Sequence, residues 1–114
     1  MAKLILEEHI KATYIYLRSI APFNTWDLPP ASKVLFELLD DYEFMGEFDV
    51  EPLVIRLSPL RQCTLENLLK TTAHELVHMK LYLEGKTHYD KHDMTFRKYM
   101  SQINELYGWD KLDL

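Results

Sequence analysis

The run His74-Glu75-Leu76-Val77-His78 has the H-E-x-x-H spacing. On a helix, one turn separates the two imidazoles, so both can reach a single zinc ion, and Glu75 lies beside them to handle the proton of an attacking water. An ordinary pair of core or surface histidines would not explain why this polar trio interrupts an otherwise apolar stretch between Ala73 and Met79. A zinc ion that performs catalysis normally has three protein ligands and one open position, so a third ligand is expected. The downstream candidates are His88, Asp90, His92, Asp93 and Glu105. His92 stands at the start of the last predicted helix, where the backbone is fixed, and is favoured over His88 in mid-loop. The expected constellation is therefore Zn2+ on His74, His78 and His92, with Glu75 as general base toward a bound water.

The elements that must carry these residues can be read from periodicity. Residues 64–84 read as a helix, with Thr64 as N-cap, Glu66 in the first turn and Gly85 ending it in the left-handed conformation. Leu65, Leu69, Thr72, Leu76, Met79 and Leu83 recur at steps of three and four, and at about 100° per residue His74 and His78 fall opposite that seam. The polar segment 84–93 reads as a surface loop. Asp93 can cap a last helix over 94–107, with Phe96, Met100, Ile103 and Tyr107 as its apolar stripe and Gly108 closing it.

Upstream, residues 4–19 read as a helix with Leu4, Ile5, Glu8, Ala12, Ile15 and Tyr16 on one face, ended by Pro22. The stretch 23–32, with two consecutive prolines, is a connector. Residues 33–58 admit two readings. Val34, Leu35, Leu38, Leu39 and Tyr42 match a helical face. Alternatively KVLFELL, YEFMGEF and PLVIRLS are three short strands rich in β-branched and aromatic residues, arranged as a meander, with Leu53–Leu57 the firmest.

At 114 residues, 47% hydrophobic and 27% charged, the composition is that of one globular domain spanning 1–114. Cys63 is the sole cysteine, which excludes an intrachain disulfide and a cysteine-rich zinc ribbon. Glu7, Glu8 and Lys11 interrupt what would be the apolar region of a signal peptide, and no apolar run approaches membrane-spanning length, so a cytoplasmic location without membrane association is expected. A net charge of -5 argues against coating nucleic acid by charge alone. The charge is uneven: seven acids lie between Glu37 and Glu51 without a Lys or Arg, whereas Arg56 to Lys98 holds eight basic residues against five acidic ones.

The motifs together resemble the SprT-like metallopeptidases. The match runs through IRLSPL (55–60), LLKTTAHELVH (68–78), HDMTF (92–96) and YMSQINELYG (99–108). The resemblance implies an α+β, zincin-like fold: an N-terminal helix, a small antiparallel three-stranded sheet over 33–58, the H-E-x-x-H helix and a C-terminal helix. It implies His74, His78 and His92 as metal ligands and Glu75 as catalytic base. The family commonly has Gly after the third His, where this chain has Asp93, which bears on how the last helix is capped. No counterpart of the C-terminal extensions of larger members is expected after Leu114. The expected partner is a protein or peptide substrate, unfolded or DNA-associated, lying along Val54–Ser58 as an added strand flanked by Arg56 and Ser58. Tyr82, Tyr89 and Tyr99 are candidates to stabilise the oxyanion. DNA contact through Lys80, Lys86, Lys91, Arg97 and Lys98 is expected to be weak for the isolated chain. Two alternatives stand beside this reading: a nucleic-acid-associated binding module, and a structural zinc domain closed by Asp90 or Asp93 as fourth ligand.

Overall fold

The computed structural model describes residues 7–39, 45–58 and 64–109. It is α+β: α1 spans Glu7–Arg18, β1 Leu35–Leu38, β2 Gly46–Asp49, β3 Val54–Leu57, α2 Leu65–Leu83 and α3 Met94–Tyr107. The connector after α1 holds two 3-10 turns, Phe23–Thr25 and Ala31–Lys33. No helix among the described residues is long and apolar enough to cross a membrane.

Helix α1 buries Ile10, Thr13, Tyr14 and Leu17, a stripe at steps of three and four. The face expected from the sequence is corrected, since Ile15 and Tyr16 are 51% and 55% exposed and Ala12 is exposed too, while Leu4 and Ile5 lie outside the described residues. This helix carries more apolar residues than one stripe can hold, and tertiary partners decide which are covered. Tyr14 has such partners. Its ring lies 5.4 Å from that of Phe36, and its hydroxyl donates to the Pro29 carbonyl at 2.6 Å.

All three short runs between 33 and 58 contribute a strand, but the expected antiparallel meander is corrected to a mixed sheet of order β1-β3-β2. β3 pairs antiparallel with β2 and parallel with β1. The short link 50–53 makes β2 and β3 a hairpin, while β1 lies on the far side of β3. Alternation within a strand specifies which side chains face the core and says nothing of which backbone edge meets which. As the central strand, β3 has both edges bonded, and Val54, Ile55 and Leu57 are buried. An added strand along Val54–Ser58 is therefore excluded. On the outer face Arg56 is held by Glu37 of β1 at 2.8 Å and by Glu47 and Asp49 of β2 at 3.2 and 3.4 Å, so it does not flank a ligand groove.

Helix α2 is the centre of the molecule and packs against α1, β2, β3 and α3. Thr64 caps it by accepting the Asn67 N–H at 3.1 Å. The expected single seam is too narrow. Leu65 is 70% exposed and Leu83 is exposed as well, whereas Leu68, Ala73, Val77 and Leu81 are buried together with His74, Glu75 and His78. With the sheet on one side and α3 folding back on another, the helix is covered all round over its middle turns. In α3 the expected stripe holds, with Phe96, Met100 and Ile103 buried.

Burial pushes the Tyr14 phenol up to about 12, with the Arg18 charge pulling weakly the other way. The neutral phenol is thus favoured by folding, so its contribution is complete below pH 10 and is lost as pH rises through 12. Tyr14→Phe should cost about 1 kcal/mol near neutral pH through the lost hydrogen bond. Urea titrations at increasing pH should show the gap between the two proteins shrinking above pH 10; a gap that widens there would contradict the assignment.

Candidate functional site

Two helix ends bring the third histidine to the first two. At the end of α2, Gly85 adopts φ 79°, its N–H bonds the Tyr82 carbonyl at 2.9 Å, and the Lys86 N–H bonds the Leu81 carbonyl at 3.0 Å. This left-handed closure is strained for any L side chain and turns the chain back along α2. At the start of α3, the Asp93 carboxylate accepts the Phe96 N–H at 3.0 Å, which fixes the backbone directly after His92.

The outcome is convergence of three Nε2 atoms. His74 Nε2 lies 3.1 Å from His92 Nε2 and 3.3 Å from His78 Nε2. His78 Nδ1 lies 2.6 Å from the Tyr89 carbonyl, which can only accept, so Nδ1 carries the hydrogen and Nε2 presents its lone pair. Burial, and then the charges of His78 and His92, hold the His74 imidazole down to about 2; burial likewise lowers His78. A shared proton is thus a poor bridge among these nitrogens. A metal ion is a good one, since neutral imidazole is a metal ligand. His74, His78 and His92 form the group able to hold a metal ion, with ligand atoms within 4.8 Å of one another, and among the described residues no carboxylate joins it.

Among the described residues none of the other histidine or carboxylate candidates joins the group, although the Asp90 charge is felt at His78. His88 lines a cavity of about 110 Å³ with Leu81, Lys86, Thr87, Asp93 and Thr95. Asp93 caps α3, and Asp90 and Glu105 are exposed. Tyr82 and Tyr89 pack with Phe48 of β2 as an aromatic trio, with centroids 5.1 to 6.2 Å apart. Tyr99 lies edge-on to Trp26.

The chain matches no family model, no curated protein and no solved structure.

Glu75 is 3% exposed, and burial, reinforced by the Glu47 carboxylate, pushes it up to about 8. Its position depends on a residue that sequence reasoning passed over. A Cβ on Gly46 would stand 2.9 Å from the Arg56 carbonyl oxygen, 3.1 Å from Thr71 Cγ2 and 3.3 Å from Glu75 Oε2, so the bare backbone lets β2 lie against α2 at the carboxylate. The Tyr89 carbonyl was missed as well, and Phe96 was read as part of the apolar stripe and of the HDMTF match without its contact to the histidines. A backbone acceptor has no residue-type signal, but Phe96, one turn beyond His92 on a helix that starts beside it, had one.

Two outcomes test this geometry. His92→Ala removes a converging nitrogen and should weaken metal binding by more than the about 100-fold typical of losing an outer partner, whereas His88→Ala should leave it unchanged. Competition with a chelator measures both, and the reverse order would move the third ligand to His88. Gly46→Ala should cost about 1–3 kcal/mol in urea denaturation, because the new methyl meets backbone that cannot rotate away. An unchanged midpoint would show that β2 can retreat freely.

Proposed function

We propose that the chain is a zinc-dependent metalloendopeptidase of the SprT-like kind, with His74, His78 and His92 as ligands and Glu75 as general base. The observation that carries this reading is the convergence of three imidazole nitrogens, with no carboxylate among the described residues joining them, beside a buried glutamate on the same helix. Zn–N bonds of 2.0–2.1 Å in tetrahedral geometry put the nitrogens about 3.3 Å apart, close to the separations of 3.1 and 3.3 Å. A structural zinc site would require a fourth protein ligand. Asp93, the nearest candidate in sequence, has an oxygen engaged in capping α3.

When bound, zinc supplies Lewis acidity toward the scissile carbonyl and makes water a nucleophile near neutral pH. The remaining work belongs to the chain. A dication held by the three histidines would oppose the protonation that burial favours at Glu75, so that its carboxylate could take the proton of the attacking water and later pass it to the leaving amine. His78 is kept in its metal-binding tautomer by the Tyr89 carbonyl.

An extended substrate would pair with β2, which is the sheet edge that packs against α2 near Glu75. Such pairing uses backbone groups and favours unfolded segments with little sequence preference. A DNA-associated protein remains within that substrate class, with weak contact from the chain itself. Lys80 is drawn away from such contact by Glu84 at 3.2 Å and by the Trp26 ring at 5.4 Å, which leaves Lys86, Lys91, Arg97 and Lys98.

Glu75→Gln is expected to keep the metal and the fold and to lose about 10²- to 10⁴-fold in hydrolysis of an unfolded protein such as casein. Cleavage at the native rate by this variant would remove Glu75 from the mechanism, and loss of metal would make it a ligand or anchor.

A further inference from the structure

Phe96 is buried, and its ring meets all three histidines. The centroid distances are 4.7 Å to His74, 4.5 Å to His78 and 4.6 Å to His92. It lies 24° from the plane of His78 and 20° from that of His92, and is set edge-on to His74 at 67°. Among the described residues no other ring from outside the cluster stacks on any of the three. Its backbone is held as firmly as its ring, because its N–H is the one that Asp93 caps.

A histidine side chain has two free torsions, and a metal that binds three of them must fix six. Rings already packed in the binding orientation lose less freedom on binding, which is the general advantage of preorganisation. A flat aromatic face can lie against two imidazoles at once, and its edge against a third; a branched aliphatic side chain of similar volume cannot. We propose that Phe96 is a positioning residue that holds the imidazoles of His74, His78 and His92 in metal-binding orientation before the metal arrives. Affinity and coordination geometry then depend on its planar ring and not merely on the apolar volume it fills. This rests on the three histidines forming a metal site, and is independent of whether that site cleaves peptides.

The test uses the full chain with Phe96→Leu and Phe96→Met, and Ile103→Ala as a control. Ile103 is buried two turns further along α3, so its truncation loosens the same helix without removing a ring from the cluster. Zinc affinity is read by chelator competition, coordination geometry from the visible absorption of the cobalt-loaded protein, and folding by circular dichroism. The folded Phe96 variants should bind zinc about 10- to 100-fold more weakly, the range for outer partners of metal ligands, and show an altered cobalt spectrum. Ile103→Ala should melt earlier yet keep native affinity and the native spectrum. Native affinity and spectrum in the Phe96 variants would overturn the proposal, as would an equal loss of affinity in Ile103→Ala. Should neither Phe96 variant fold, nuclear Overhauser contacts decide it: the metal-free native protein should show the Phe96 ring against all three imidazoles, unchanged on adding zinc, and their absence would overturn it. A native chain that takes up no metal would defeat the metal reading itself, and this inference with it.

Discussion

Three imidazole nitrogens drawn together inside a folded chain, with His74 Nε2 3.1 Å from His92 Nε2 and 3.3 Å from His78 Nε2, is the arrangement on which the rest of the molecule depends. Imidazole rings present lone pairs and N–H groups, and water is largely excluded from His74 and His78. Such a cluster is stable only if each ring has a fixed tautomer and a fixed orientation. The surroundings orient all three rings and fix the tautomer of His78. The Tyr89 carbonyl fixes the proton of His78, Phe96 lies against all three rings, and Asp93 starts the helix from which Phe96 projects.

That requirement explains why α2 sits at the centre of so small a domain. A helix at the surface would leave His74 and His78 hydrated and free to protonate. Instead the sheet and α1 cover one side, while Gly85 reverses the chain so that the loop and α3 cover another. The same enclosure raises Glu75, because a carboxylate closed in by β2 loses its hydration. The absence of a Cβ at Gly46 makes the close approach possible. On the opposite face of the sheet Arg56 is surrounded by Glu37, Glu47 and Asp49, which ties the three strands together across their width. The acidic run of the sequence is thus partly a requirement of the sheet.

What could be read from the residues alone was what depends on local periodicity and caps. Thr64, Gly85, Asp93 and Gly108 mark the ends of α2 and α3 as their side chains, or the lack of one, dictate. The spacing of His74 and His78 is likewise a property of one helix. Strand order was not legible, because β1 and β2 carry similar short runs and a backbone edge has no residue-type signature. The face of α1 was misjudged, since Ile15 and Tyr16 are as apolar as Ile10 and Leu17, and only the position of Phe36 and Pro29 selects Tyr14. The role of the Tyr89 carbonyl was invisible for the same reason as strand order: the acting atom belongs to the backbone.

Asp93 shows how an acidic residue beside a histidine cluster can be kept out of it. It adjoins His92, one of the three histidines able to hold a metal ion, where a carboxylate could have acted as a further ligand. It does not join the cluster, and one of its oxygens accepts the Phe96 N–H. A helix start leaves its first amide donors without intrahelical partners, and a negatively charged acceptor there gains from both the hydrogen bond and the helix dipole. The cap therefore keeps Asp93 with the helix, and in doing so sets Phe96 in the turn that meets the imidazoles. One carboxylate thus both stays out of the histidine cluster and orders the Phe96 ring against the three imidazoles.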